Sequence, residues 1–576
     1  MDNTPPVVIM LIAAALVVFL PSTLRRAVAV IAPALVLAHL TFFLEVGDSW
    51  SFTWLTLDLE PLRVDRLSLP FGYVFGIAGT LGAIYAWHHE SKLQQAASLA
   101  YAGSSIGVVF AGDLVTLVLF WELMAISSAY LVWGGGWPNS QSAGARYLFV
   151  HIVGGSIVLA GVLWHLGAGG STDFTLFDGT VAGWLILAGF AINAAIPPLH
   201  AWLADAYPEA SITGSVFLSA FTTKTAVYVL ARGFAGWEIL LVLGVIMALY
   251  GVVFAVLEND IRRLLAYHIV SQVGYMVAGV GMGTEVAING AVAHAFAHVI
   301  YKGLLFMGAG AAIHATGGRR TLTALGGIAG RMRSVVTLYM IGALAISAFP
   351  LFSGFTTKSM VIFAAEEQHI EWAVALLYIA SVGTFLHTGL KLPYFTWFGP
   401  RREDIRVGPV PKNMIIAMIG GAALCVGIGV YPQPLYDMLP FANNYQAYTA
   451  DHVVTTLQLL AFTAIAFWLL LNKLSGEATV TIDTDWFYRK AGKPVRLFVQ
   501  QPLEWPFTQA ARLARWIVEI AGRLSLTPES GWSRLLSAAG DPKTIIDHLG
   551  RPPLGAAISA IFVTFAAVAL LAAAFD

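Results

Sequence analysis

Apolar runs of about 20 residues follow one another along most of this chain, and they leave it few ways to fold. Hydrocarbon offers no water to bond peptide groups, so each run must satisfy its own backbone as a helix. Spans are expected near 6–21, 27–45, 67–87, 97–111, 113–133, 145–168, 182–206, 211–232, 237–257, 265–284, 286–314, 336–366, 372–392, 412–432, 452–472 and 553–575. The fold class is therefore an all-α polytopic membrane protein with about 16 transmembrane helices. A hydrophobic content of 58% against 11% charged residues, at a mean hydropathy of +0.74, agrees with that reading.

The same composition excludes several functions. A net charge of −1 with no basic block gives no footprint for nucleic acid. The single cysteine, Cys425, rules out an intrachain disulfide or a cysteine-ligated cluster, and no redox cofactor or metal is expected. The N-terminal run lacks a basic start and carries Arg25 and Arg26 after it, as expected for a retained first helix.

Lys and Arg accumulate on the cytoplasmic side of membrane proteins, and here the connections separate cleanly. One alternate set holds Arg25, Arg26, Lys92, Arg146, Arg262, Arg263, Arg319, Arg320, Arg331, Arg333, Arg401, Arg402, Arg406 and Lys412. The other holds mainly Arg63, Arg66 and Arg232. This partition puts the first set in the cytoplasm and both termini on the outer face. Between the second and third spans, WSFTWLTLDLEPLRV alternates apolar and polar residues up to Pro61, which predicts a short external hairpin. Beyond residue 472, WPFTQAARLARWIVEIAGRL sets Arg512, Arg515, Glu519 and Arg523 opposite Leu513, Trp516, Ile517 and Ile520. That is a helix lying along a membrane surface or against partner subunits, with a small cytoplasmic helical hairpin as the alternative.

Ionisable residues inside spans carry the functional signal, because each costs about 2.5–3.5 kcal/mol at a helix centre unless it pairs, faces water or carries ions. Glu122, Lys224, Lys302 and Lys358 lie several residues from any span end and read as functional. For His151, His387 and Lys391, a bond to a neighbouring helix or a snorkelling side chain serves equally well. In HAFAHVIYKGLLF, residues 294–306, the four-residue spacing places His294, His298 and Lys302 on one helical stripe. His268 enters another span. A zinc site at the two histidines is disfavoured by the apolar residues between them and the cationic Lys302 one turn away. Imidazoles, lysines whose ammonium is desolvated and a buried glutamate suit a proton relay. Pro197 and Pro198 in the seventh span, and Pro350 and Gly354 in the twelfth, predict broken helices at matching places in two inverted five-helix repeats.

Together WELMAISSAYLVW, PPLHAWLADAYPEASITGSVFLSAFTTK, RRLLAYHIVSQVGYM, HAFAHVIYKGLLF and FPLFSGFTTK resemble the antiporter-like family over about residues 95–395. That family includes the D-type component of Mrp-type Na+/H+ antiporters, to which the likeness is strongest, and the proton-pumping membrane subunits of respiratory complex I. The resemblance implies that Glu122 matches the fifth-helix glutamate, Lys224 the eighth-helix lysine, Lys358 the exit site, and His294, His298 and Lys302 the central relay. His268 and Lys391, as ionisable residues within spans, are added as candidate site residues. One position departs: where the family has a lysine before the seventh-helix break, GFAINAAIPP has Asn193, which cannot titrate. The segment after residue 472 resembles the lateral helix and final anchor of the most distal complex I pump protein.

The expected organisation is N-terminal helices and hairpin over 1–94, a first antiporter-like half over 95–235, and a second, inverted half over 236–395. Peripheral helices follow over 396–472, then a cytoplasmic lateral-helix region over 473–552 and an anchor helix over 553–576. The expected function is proton translocation in a multisubunit Mrp-type antiporter of a bacterial inner membrane. Its partners are other membrane subunits, lipid and H+, with Na+ as a second ion. The alternatives are a pump module of a complex I-like or hydrogenase-like redox assembly, a proton channel energising uptake of inorganic carbon or another small substrate, and a purely structural role.

Overall fold

The computed structural model describes residues 4–486 except 56, 90, 475–482 and 485. Residues Met1–Trp486 form one compact unit. The expected lateral helix and final anchor lie outside the described residues.

In chain order the helices are α1 (Pro6–Phe19), α2 (Ser22–Phe42), α3 (Ser68–Tyr85), α4 (Lys92–Phe110), α5 (Leu114–Trp133) and α6 (Ser140–Gly167). Next come α7 (Val181–Asn193), α8 (Ala201–Ala206), α9 (Ile212–Ala220), α10 (Thr222–Gly233), α11 (Glu238–Leu257), α12 (Ile261–Met282) and α13 (Glu285–Ala315). The rest are α14 (Arg333–Ile346), α15 (Ser353–Glu367), α16 (Glu371–Thr384), α17 (Lys412–Val430), the short α18 (Gln433–Tyr436) and α19 (Ala450–Leu474). Side-chain caps set several starts. Asp113 accepts from the amides of Val115 and Thr116 to open α5, and Asp260 accepts from those of Arg262 and Arg263 to open α12.

The hairpin forms between β1 (Ser49–Trp54) and β2 (Leu57–Arg63). Its register shifts between Trp50, opposite Leu62, and Phe52, opposite Leu59. Pro61 falls in that irregularity, where the ladder needs no N–H from it. The Glu60 amide then donates to Asp113, so the cap of α5 also pins the hairpin.

Eleven of the described helical segments are long and apolar enough to cross a membrane by length and composition. The sequence count of about 16 differs at five places. Runs 6–21, 182–206 and 336–366 give short or broken helices, 97–111 gives the more polar α4, and 553–575 is not described. Two further irregularities appear, the first with no proline in it and the second spanning Pro393. The eighth run is split at Phe221, between α9 and α10, and the run expected to end at 392 continues as π-turns over Phe385–Lys391 and Tyr394–Phe398.

The α9–α10 pair, α12 and α13 are buried within the bundle, while α19 presents Phe462, Ile465, Trp468 and Leu469 outward as apolar surface. Helices α11 and α12 pack backbone to backbone: a Cβ on Gly274 would lie 2.5 Å from the Ala248 nitrogen and 2.6 Å from the Gly244 oxygen. Backbone cannot swing aside as a side chain can. Gly274→Val is therefore expected to cost about 1–3 kcal/mol or more, read as a lower unfolding midpoint of the detergent-solubilised protein.

Candidate functional site

The two proline-marked breaks are built alike. Helix α7 ends with Ala195 at φ 59°, and α14 ends with Ala348 at φ 56°. In the first, the Ala195 amide bonds the Ile192 carbonyl and the Ile196 amide the Ala191 carbonyl. In the second, the Ala348 amide bonds the Ala345 carbonyl and the Phe349 amide the Leu344 carbonyl. Both are left-handed helix terminations with a proline two residues later. By this equivalence Asn193 corresponds to Ile346.

Breaking a helix frees carbonyls, and the buried lysines use them. Lys224 Nζ donates to the Ser219 carbonyl at 2.7 Å and the Thr223 hydroxyl at 3.1 Å, across the α9–α10 break. Lys358 Nζ donates to the Ile346 carbonyl at 3.4 Å and lies 5.6 Å from the Tyr275 ring centre. Lys391 donates to the carbonyls of Val256 and Glu258 at the end of α11, the position of a cation that caps a helix C-terminus. Lys302, in the middle of unbroken α13, has no hydrogen-bond partner for Nζ among the described residues.

Around Lys302 the structure gathers α12, α13 and α15. His294 contacts the Thr357 hydroxyl at 3.4 Å and the Tyr301 hydroxyl at 3.5 Å, and Tyr301 donates to Gln272 at 3.4 Å. The rings of His294 and His298 are 6.1 Å apart, as are those of His268 and His387. Both ring nitrogens of His268 and of His298 are buried and unpartnered among the described residues. His387, in the π-turn, bonds the Gly383 carbonyl at the end of α16. A cavity lined by Lys358, Ser359, Tyr378, His452, Thr456 and Thr463 continues from Lys358 towards α19.

Glu122 stands apart from this cluster. It lies on α5 against Gly155 of α6, where an added Cβ would sit 1.6 Å from Oε1, so only glycine leaves room for the carboxylate. Asn193 is fully buried with both side-chain polar atoms unpartnered among the described residues. A separate hydroxyl network joins Tyr101 to Thr222 at 2.6 Å and Tyr147 to Ser128 at 2.9 Å, and His151 stacks on Tyr147 at 4.0 Å. Sequence reasoning missed Tyr301, Gln272, Thr357 and Tyr147. Polar residues without charge give little signal in a span, although Gln272 and Tyr275 in SQVGYM are the kind that one could find.

Residues 111–385 match the family model described as NADH:quinone oxidoreductase/Mrp antiporter, transmembrane. An uncharacterized protein, MJ1309, of Methanocaldococcus jannaschii is 33% identical over 368 residues, covering 59% of this chain and 75% of that protein. This chain belongs to that antiporter-like family. Hydrogenase-4 component B of Escherichia coli is 29% identical over 524 residues, 78% of each chain. A Na(+)/H(+) antiporter protein of Alkalihalophilus pseudofirmus is 28% identical over 428 residues, 65% of this chain and about half, 52%, of that longer protein. Among solved structures, a chain of the archaeal membrane-bound sulfane sulfur reductase superposes with a TM-score of 0.71 at 20% identity, covering 96% of this chain and all of that one. A chain of the Mrp complex from Dietzia sp. gives 0.64 at 22% identity, covering 79% and 95%. At these identities the structures establish a shared fold.

An alanine held at positive φ costs roughly 1–2 kcal/mol relative to glycine. Ala195→Gly and Ala348→Gly are each expected to raise the unfolding midpoint, by an amount worth about 1 kcal/mol after the entropy glycine adds to the unfolded chain. Gly155→Ala is expected to displace Glu122 and to match Glu122→Gln in transport assays, with assembly checked by size-exclusion chromatography.

Proposed function

We propose that this chain is the proton-translocating component of a multisubunit Mrp-type monovalent cation/proton antiporter in a bacterial cytoplasmic membrane. H+ moves along a buried axis through Lys224, His294, His298, Lys302, His268 and Lys358, with Glu122 at its margin and Lys391 at its far end. One observation carries the reading: Lys302, His298 and His268 are fully buried side by side with unmet hydrogen-bonding capacity among the described residues. Ionisable groups are rare inside a membrane unless they pair, face water or carry ions. The flanking lysines, by contrast, rest on carbonyls that helix breaks have freed.

In this mechanism a proton adds to the lone pair of neutral Lys224 Nζ, the Ser219 carbonyl steadies the ammonium so formed, and an N–H proton then passes on and restores the amine. Protonation of the central imidazoles raises the local positive charge and drives the next proton towards Lys358, whose cavity leads outward beside α19. The two halves, 95–235 and 236–395, act as inverted repeats around the matched breaks. The arginine-bearing face is cytoplasmic, both termini lie outside, and other membrane subunits complete the path.

The family match also supports a second reading, a pump module of a hydrogenase-like or complex I-like redox assembly, since hydrogenase-4 component B aligns over 78% of both chains. Purification of the intact complex separates the two by its companion subunits: small Mrp-like membrane proteins or redox proteins.

Lys302→Ala and Lys358→Ala are each expected to abolish ΔpH-dependent activity in everted vesicles while the complex still assembles. Wild-type transport in both would overturn the relay. Asn193→Lys is expected to assemble with altered coupling of ion to proton flux, and failure to assemble would assign Asn193 to packing.

A further inference from the structure

Beyond α19, one carboxylate returns to the interior of the bundle. The Asp483 side chain is 1% exposed and accepts four hydrogen bonds. Oδ1 receives the Tyr250 hydroxyl and the Thr484 amide, each at 2.5 Å. Oδ2 receives the Tyr267 hydroxyl at 2.5 Å and His200 Nε2 at 3.0 Å. Tyr250 lies seven residues before the end of α11 and Tyr267 six residues after the start of α12. At 1.5 Å per residue, the carboxylate sits about 10 Å into the bundle from the turn that joins them. Four donors satisfy an ionised carboxylate, which only accepts. Nε2 of His200 therefore carries its hydrogen, and the Nδ1 lone pair is left over.

Nδ1 is buried and has no partner among the described residues. His200 lies two residues after Pro198 at the first break and occupies the N-cap position of α8. Two residues on, the Trp202 ring meets His151 at 4.4 Å, and its N–H binds the Ile192 carbonyl, next to Asn193, at 2.9 Å. His200 Nδ1, the Asn193 amide and His151 Nε2 thus line one break with unmet hydrogen-bonding capacity. Of the other charged groups near the mouth, Arg263 pairs with Glu258 at 3.2 Å, Arg320 with Asp260 at 2.9 Å, Arg262 donates to the Ala210 carbonyl, and Lys391 donates to the Glu258 carbonyl at 3.4 Å.

We propose that His200 and Asp483 form the proton-uptake station of the first half, on the arginine-bearing face. Asp483, from outside the helical repeat, is the carboxylate that faces His200 at this break, where Asn193 is uncharged. This rests on the proton-conducting reading above. A proton from water adds to Nδ1, forming a second N–H bond, and the Asp483 carboxylate compensates the imidazolium. The Nδ1–H bond then breaks as that proton passes inward to a polar acceptor at the break, and the imidazole regains its starting tautomer. Charge and protons balance with no further reactant. Tyr250 and Tyr267 hold the carboxylate and are positioning residues.

The test is ΔpH-driven proton flux of the whole complex in proteoliposomes, measured across pH. D483N keeps the shape and an acceptor oxygen but cannot offset a charge on His200. D483N and H200Q are each expected to lower flux about 10-fold or more, to shift the pH profile of what remains, and to be no worse in combination. D483E is expected to restore part of the flux. An assembled D483N complex with wild-type flux and pH profile would show Asp483 to be an anchor for the chain and overturn the proposal. If D483N does not assemble, H200Q and Y267F decide, since both leave the carboxylate in place. Wild-type flux and pH profile in both overturn it equally. Lys302→Ala run alongside separates the two readings: loss there with normal H200Q and D483N removes only the uptake station, whereas full flux in Lys302→Ala removes the relay itself.

Discussion

An ammonium group inside hydrocarbon needs oxygen around it, and this bundle supplies that oxygen by interrupting its own helices. Lys224 rests on the Ser219 carbonyl at the α9–α10 break, and Lys358 on the Ile346 carbonyl at the α14 break. Both carbonyls are available because the backbone leaves the helical path beside them. At the α14 break the left-handed Ala348 thus accompanies the carbonyl that holds Lys358. Lys302 is the exception. It stands on unbroken α13 with no such carbonyl, among imidazoles that are equally unsatisfied among the described residues.

Freed carbonyls are used in the same way on the arginine-bearing face. Arg262 donates to the carbonyls of Pro208 and Ala210, Arg320 pairs with Glu209 and Asp260, and Arg146 grips Asp205 through two bonds. Arg262 and Arg320 hold the short stretch between α8 and α9, and Arg146 holds α8 itself, where a broken helix would otherwise present loose backbone. Residues that served at first only to orient the chain in a bilayer therefore also fasten the break, and with it His200. The loop segment that carries the chain across this face is held by charge, while the centre of the bundle is left polar and unfastened.

Much of the site was legible because ionisable residues are conspicuous in apolar runs. Glu122, Lys224, His294, His298, Lys302 and Lys358 stand out on composition alone, and the four-residue spacing of the α13 stripe needs only helical geometry. Pro197, Pro198 and Pro350 marked two breaks correctly. The third, at Phe221, has neither proline nor glycine, and the π-turns from Phe385 arise in a run that reads as ordinary helix. Uncharged partners such as Tyr301, Gln272 and Thr357 were equally hidden, since hydroxyls and amides are common in spans for packing reasons.

The sequence by itself determined that this chain lives in a membrane, which residues are costly to place there, and where proline interrupts a helix. Those follow from local chemistry: the transfer cost of a charge and the missing N–H of a proline act at the residue itself. Only the tertiary structure decided that Lys391 caps α11, that Gly155 makes room for Glu122, and that Asp483 meets His200 across 283 positions of sequence. Such pairings depend on which helices become neighbours, and close packing of α11 on α12, not any periodicity, brings Tyr250 and Tyr267 to one carboxylate.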